Sequence, residues 1–164
     1  MIFEIMDHLF ATSLAFRQHL VNHIEKLDDE LLDIVPEGYG NNIRWNLTHI
    51  LVTQPLLTYK LAGIEIPHLS NEFIDSAKKG SNPEDFSLNE DFSTKHLCEL
   101  LLEMPKQCQR DLEKLSQAEF TPYETSIGYV IENMEGAITF SNIHDGIHIG
   151  RVQTMRKLLV EMNV

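Results

Sequence analysis

Four stretches of this chain repeat apolar residues at helical spacing, and no strand pattern stands out beyond a brief one near Ile127 to Ile131. Helices with one apolar face each must bury those faces against one another, which points to an all-α fold. The first stretch runs from about Phe3 to Leu27, with Phe3, Met6, Phe10, Leu14, Leu20, Ile24 and Leu27 recurring along it. The second begins near Asn42 or Ile43, where asparagine can cap a helix, and ends at Ala62 before Gly63. The third follows Ser93 as N-cap and covers about Thr94 to Leu115, and the last spans Met134 to Met162. Pro55 and Pro105 lie inside the second and third. Each should bend its helix, because proline lacks the N–H donor and crowds the carbonyl one turn earlier.

The connections are unequal. DDELLDIVPEGYGNN reads as a turn of helix and then a loop punctuated by Pro36, Gly38 and Gly40. The segment GIEIPHLSNEFIDSAKKGSNPEDFSLNEDF is long and polar, with a short helix expected around Asn71 to Lys78. Connections of that length are often functional or form lids. SQAEFTPYETSIGYVIEN leads into the last helix. The expected architecture is a four-helix bundle in a single domain, residues 1–164. The long connection between helices two and three would let those two run parallel.

Composition excludes several classes of function. Hydrophobic content of 43% and charged content of 23% over 164 residues suit one soluble domain with one substantial core. The net charge of −12 comes with no basic stripe, so no nucleic-acid partner is expected. The three basic residues of RVQTMRKLL are ordinary partners for a helix C-terminus. No apolar run approaches the roughly 20 residues of a membrane helix. The first residues, MIFEIMDHLF, carry acids where a secretory signal carries Lys or Arg, so a cytoplasmic location is expected. Cys98 and Cys108 fall on one expected helix, roughly 15 Å apart along its axis, too far for a disulfide.

Histidines carry most of the functional signal. His144 and His148 form an H-x-x-x-H pair in NIHDGIHIGRVQTMRKLL. They share a stripe with Ala137, Ser141, Met155, Leu158 and Met162. His49 lies upstream on a second stripe with Trp45, Val52, Leu56 and Tyr59. A polar ring aimed at a core needs a partner, and packing the two stripes together would let all three rings share a metal ion. The spacing alone is weak: His19 and His23 repeat it among Arg17, Gln18, Asn22 and Glu25, which reads as a solvated face. His8, His68 and His96 stand in polar or loop contexts and read as surface residues. Gly146 and Gly150 each cost a helix about 1 kcal/mol relative to alanine, which asks for close approach of a helix or a ligand.

The runs NNIRWNLTHILVTQPLLTYKLAG and ITFSNIHDGIHIGRVQTMRKLL resemble those of the DinB-like (YfiT-like) superfamily of metal-binding four-helix bundles. Helix order and the long second connection extend the resemblance over almost the whole chain. It implies a divalent metal held by one histidine of the second helix and the H-x-x-x-H pair of the last. By position those are His49, His144 and His148. It also implies thiol chemistry, since better-understood members include transferases that use bacillithiol or mycothiol and a maleylpyruvate isomerase. A homodimer is a further implication.

Three neutral imidazoles would leave the ion its full charge and an open position, the arrangement of catalytic sites. Zinc or nickel leads, and iron or manganese also suits imidazole. A small thiol brought there would be a thiolate at neutral pH and could attack an electrophile under the long loop. A hydrolytic version would use water instead. The expected function is thus a divalent-metal-dependent transferase acting with a low-molecular-weight thiol. The competing expectation is a non-catalytic bundle that binds metal, a ligand or a partner, because no other base or nucleophile is visible. Asp145 and Glu132 are nearby acids that could orient a ligand ring, although Asp145, next to His144, points away from the stripe; Asn46, Tyr59 and Ser141 could line the pocket, with core packing or capping as their alternative roles.

Overall fold

The computed structural model describes residues 2–85 and 89–162. The side chains of Phe3 and Met162, expected on the apolar stripes of the first and last helices, lie outside the described residues. Helices α1 (Ile2–Ile24), α2 (Asp29–Leu32), α3 (Ile43–Pro55), α4 (Asn71–Ala77), α5 (Thr94–Arg110), α6 (Leu112–Gln117) and α7 (Met134–Met162) account for most of the chain. A two-stranded antiparallel ribbon, β1 (Tyr123–Glu124) with β2 (Val130–Ile131), precedes α7. Among the described residues no helix is long and apolar enough to cross a membrane.

The long helices pack around a ring in which α1 and α3 each touch both α5 and α7. Their directions follow from side-chain contacts. Arg44 near the start of α3 reaches the Phe92 carbonyl just before α5, and Tyr59 beyond the end of α3 reaches Asp111 just after α5. These two helices therefore run parallel, as the long connection between them predicts. His144 and His148 meet His49 and Asn46 in reverse order, so α7 runs antiparallel to α3. The main core gathers Leu20, Ile24, Leu47, Leu51, Leu101 and Met155 between the helices. Each such side chain contributes about 1.5–3 kcal/mol by leaving water.

Local chemistry sets the boundaries. Asn42 caps α3 by accepting from the Trp45 N–H at 2.8 Å, and Ser93 caps α5 by accepting from the His96 N–H at 3.3 Å. Pro55 does end regular α geometry, because a π turn, Leu56–Lys60, follows it at once. Gly63 then closes the segment at φ +65°, a conformation glycine adopts without a Cβ clash. The helix holding Pro105 behaves otherwise. It continues through the proline and breaks at Asp111 instead, so the expected single helix to Leu115 is two, α5 and α6.

Three expectations are corrected. First, α3 is not a helix with a single buried apolar face. It is enclosed by α2, α4, α5 and α7, and His49 and Thr53 are the only two of its residues that are not buried. Second, Arg17 is not on a solvated face: it is fully buried, with its Nε 2.8 Å from the Asp145 carboxylate. It lies in register with Phe10, Ser13, Leu20 and Ile24, all buried, so helical spacing carries it inward. Third, Leu158 is 37% exposed and Leu159 takes the core position four residues after Met155. The two glycines of α7 also lack the close approach expected of them. A Cβ at Gly146 would only touch Phe16 at 3.9 Å, and one at Gly150 would meet open space. Nothing in the structure explains Gly150.

Candidate metal centre

His49 leaves α3 towards α7, and His144 and His148 leave α7 towards α3. The three rings converge, with centroid separations of 4.4 to 4.9 Å. One nitrogen of each lies within 4.8 Å of the others, and among the described residues this is the one such group of histidine, cysteine or acidic side chains. Helical spacing places His144 and His148 one turn apart on the same face. Trp45, one turn before His49, stacks on the His49 ring at 4.5 Å and 15° and fixes its plane.

The hydrogen bonds decide which nitrogens point inward. His49 Nδ1 lies 2.6 Å from the Ala77 carbonyl oxygen, which can only accept. Nδ1 therefore carries the ring hydrogen and Nε2 is bare. His148 Nδ1 lies 2.7 Å from Asn46 Oδ1. The Asn46 amide nitrogen is spent on the Asn42 carbonyl and on Asn41, so its oxygen faces the ring as acceptor. His148 Nε2 is thus bare as well. This is the ligand-orienting arrangement that metal-binding histidines use. His144 Nε2 stands 3.2 Å from His49 Nε2. Two nitrogens bound to one tetrahedral ion at about 2.0–2.1 Å are roughly 3.3 Å apart. His144 Nδ1 is buried and has no hydrogen-bond partner.

Electrostatics agree with the geometry. Burial depresses all three pKa values. It lowers His49, takes His144 to about 4 with help from His49 and Arg17, and takes His148 to about 3 with help from its two neighbours and Arg151. At neutral pH the rings are uncharged and hold bare lone pairs. They offer at most one ring hydrogen among two inward-facing lone pairs, a donor set short of protons and suited to a cation. The residues present fit a divalent metal ion.

A cavity of about 400 Å³ opens on this cluster, with His49, Thr53 and His144 in its wall. Its apolar surface comes from Leu56, Leu57, Leu61 and Phe140. The turn between β1 and β2 contributes Thr125 and Ser126. His49 and Thr53, the two incompletely buried residues of α3, both face it.

The other candidates sort differently. His19 is exposed and His23 is half-buried; they contact each other, His19 also meets Gln153, and neither belongs to the cluster. Asp145 does not orient a ligand ring, because its carboxylate is taken by Arg17 on the α1 side. Glu132 is exposed. Tyr59 donates to Asp111 at 2.8 Å instead of facing the cavity, and Ser141 is fully buried. The two groups that do orient the rings are Asn46 and the Ala77 carbonyl. The first was legible as a pocket-lining, capping or core residue but not as a ring-orienting one, and the second is backbone from a different segment. The two cysteines are free; burial pushes Cys98 up to about 11 and Cys108 up to about 12, which favours the protonated thiol at both.

A family model described as the DinB superfamily matches residues 14–152, a span that holds all three histidines. A search of curated proteins finds no match.

Proposed function

The chain belongs to the DinB superfamily, and on that premise we propose that it is a divalent-metal-dependent enzyme acting with a small thiol. His49, His144 and His148 hold the ion. The carrying observation is that two of the three converging histidines also line the 400 Å³ cavity. A structural site would close over its ion, whereas this one keeps a side open to a ligand. When bound, a divalent ion supplies Lewis acidity that makes a coordinating thiol a thiolate at neutral pH.

The chain's own residues do the rest. The Ala77 carbonyl and Asn46 fix two ring orientations before any ligand arrives. Leu56, Leu57, Leu61 and Phe140 exclude water from one side of the cavity. The cavity wall holds no cysteine, and both chain thiols are held protonated by burial, so the reacting thiol comes with the substrate. Zinc or nickel is the leading choice, since three imidazoles suit either.

A second reading has its own support. Among the described residues the cavity wall carries no carboxylate that could serve as a general base. That favours a bundle that binds metal and a ligand without turnover. Two measurements separate the readings. Cobalt-substituted protein mixed with a small thiol should develop thiolate-to-metal charge-transfer absorption, and His144→Ala should not. A panel of thiols with a chromogenic aryl halide should then show turnover above the uncatalysed rate, abolished by chelation. If chelation lowers the melting temperature but no thiol in the panel turns over, the enzymatic reading fails and the binding reading stands.

A further inference from the structure

The cavity beside the histidines is electrostatically unlike the rest of the chain. The protein has 25 acidic and 13 basic side chains. On that composition, acids should outnumber cations in any wall by nearly two to one. Among the described residues this wall instead holds Lys60, Lys78 and Lys79 and no Asp or Glu. Lys60 comes from the π turn after α3. Lys78 and Lys79 come from the end of α4, so two separate segments aim cations at one opening. Lys78 is paired with Asp75 at 2.8 Å, while Lys60 and Lys79 have no ion pair among the described residues. All three lysines are exposed, which puts the charges at the rim, while the leucines and Phe140 form an apolar wall. Arg151 adds positive potential at His49 and His148 from outside the wall.

We infer that the cavity takes an amphipathic anion: a small molecule whose apolar body lies on Leu56, Leu57, Leu61 and Phe140 and whose carboxylate or phosphate is received by Lys60, Lys78 and Lys79. This rests on the reading of the cavity as the functional site and names the class of substrate it selects. Low-dielectric walls focus the field of rim charges, so the lysines draw anions to a protein that repels them elsewhere. The pairing also sets orientation: with the charged head held at the rim, the body extends over the apolar wall.

The test uses matched eight-carbon probes on the full chain, with amide chemical shifts followed by NMR. Octanoate and octyl phosphate should bind about tenfold more tightly than octanol, as a few partly exposed charge contacts provide, and octylamine should bind most weakly. Either order of the two anions supports the inference and names the headgroup. Lys60→Gln with Lys79→Gln should remove most of that preference and leave octanol unchanged, and the exposure of both residues keeps the fold intact. The preference should also shrink in 1 M salt, where screening acts over about 3 Å. Equal affinities for octanoate and octanol would overturn the inference. So would shifts that map away from Lys60, Lys78 and Thr125. A preference that appears only with added zinc and disappears in His144→Ala would assign the anion to the metal and overturn the lysine assignment. A preference that persists in protein that binds no zinc upholds it while sinking the metal-centre reading.

Discussion

The buried pair of Arg17 and Asp145 gives the sharpest prediction about stability. Both side chains are fully buried, 2.8 Å apart; Arg17 Nη2 reaches only the Ile50 carbonyl at 3.5 Å, and Arg17 Nη1 and Asp145 Oδ1 have no hydrogen-bond partner. Attraction at that distance is about 6 kcal/mol at an effective dielectric of 20, while the desolvation penalty is several kcal/mol for each ion. Burial accordingly pushes Asp145 above its ordinary range against the pull of Arg17. Removing both charges should therefore change stability little, and removing one should cost much. In Arg17→Met the orphaned acid escapes by taking up a proton. From an ordinary pKa of 3.8, that costs about 4 kcal/mol at pH 7 and about 1 kcal/mol at pH 4.5. The sign follows from linkage: the variant's folded carboxyl titrates above the unfolded one, so the penalty grows as pH rises past the unfolded value. Arg17 has no such escape, so Asp145→Asn should cost about 3–5 kcal/mol at both pH values. Urea unfolding of the metal-free protein, followed by far-UV circular dichroism at the two pH values, measures all of this. A cost below about 1 kcal/mol for Arg17→Met at pH 7, or one that does not fall at pH 4.5, would refute a dry, mutually dependent pair.

Three further predictions concern the site and α7. The metal-free protein should lose stability as pH falls from about 6.5 to about 4, because unfolded histidines take up protons that the depressed native rings refuse; the fall should be smaller in the His144→Ala and His148→Ala variants, measured by denaturant midpoint. Asn46→Leu should weaken metal affinity by about 10–100-fold while leaving the three ligands in place, because His148 loses the acceptor that fixes its ring; competition against a chromophoric chelator reads this directly. Gly150→Ala should raise stability by up to about 1 kcal/mol, since the added methyl meets nothing and the helix gains propensity; a lower melting temperature would show that the glycine serves a contact outside this chain.

The helices were legible because their signals are local. α4 could be placed at Asn71 from a polar cap followed by a short apolar pattern, and α7 from an unbroken run without proline. The three converging rings were legible in part: spacing joined His144 to His148, whereas His49 needed the facing stripe and the family resemblance. What could not be read was anything whose partner arrives through tertiary packing. The Ala77 carbonyl that orients His49 has no side-chain signature at all. Arg17 left a signal that was open to misreading, a lone charge in register with Phe10, Ser13, Leu20 and Ile24. Its hydrophilic sequence neighbours suggested solvent, while the helical register pointed it at Asp145. The lysines around the cavity come from two segments, and only the fold shows them to be neighbours.

The central claim is that His49, His144 and His148 form one metal site. Its most direct test is a metal titration of tag-free protein by calorimetry, beside elemental analysis of the protein as purified. The account predicts one divalent ion per chain, at a stoichiometry lost in His49→Ala and His148→Ala and retained in His19→Ala, whose ring lies outside the cluster. Binding that survives both ligand variants unchanged, or no binding by the folded parent at neutral pH, would contradict it.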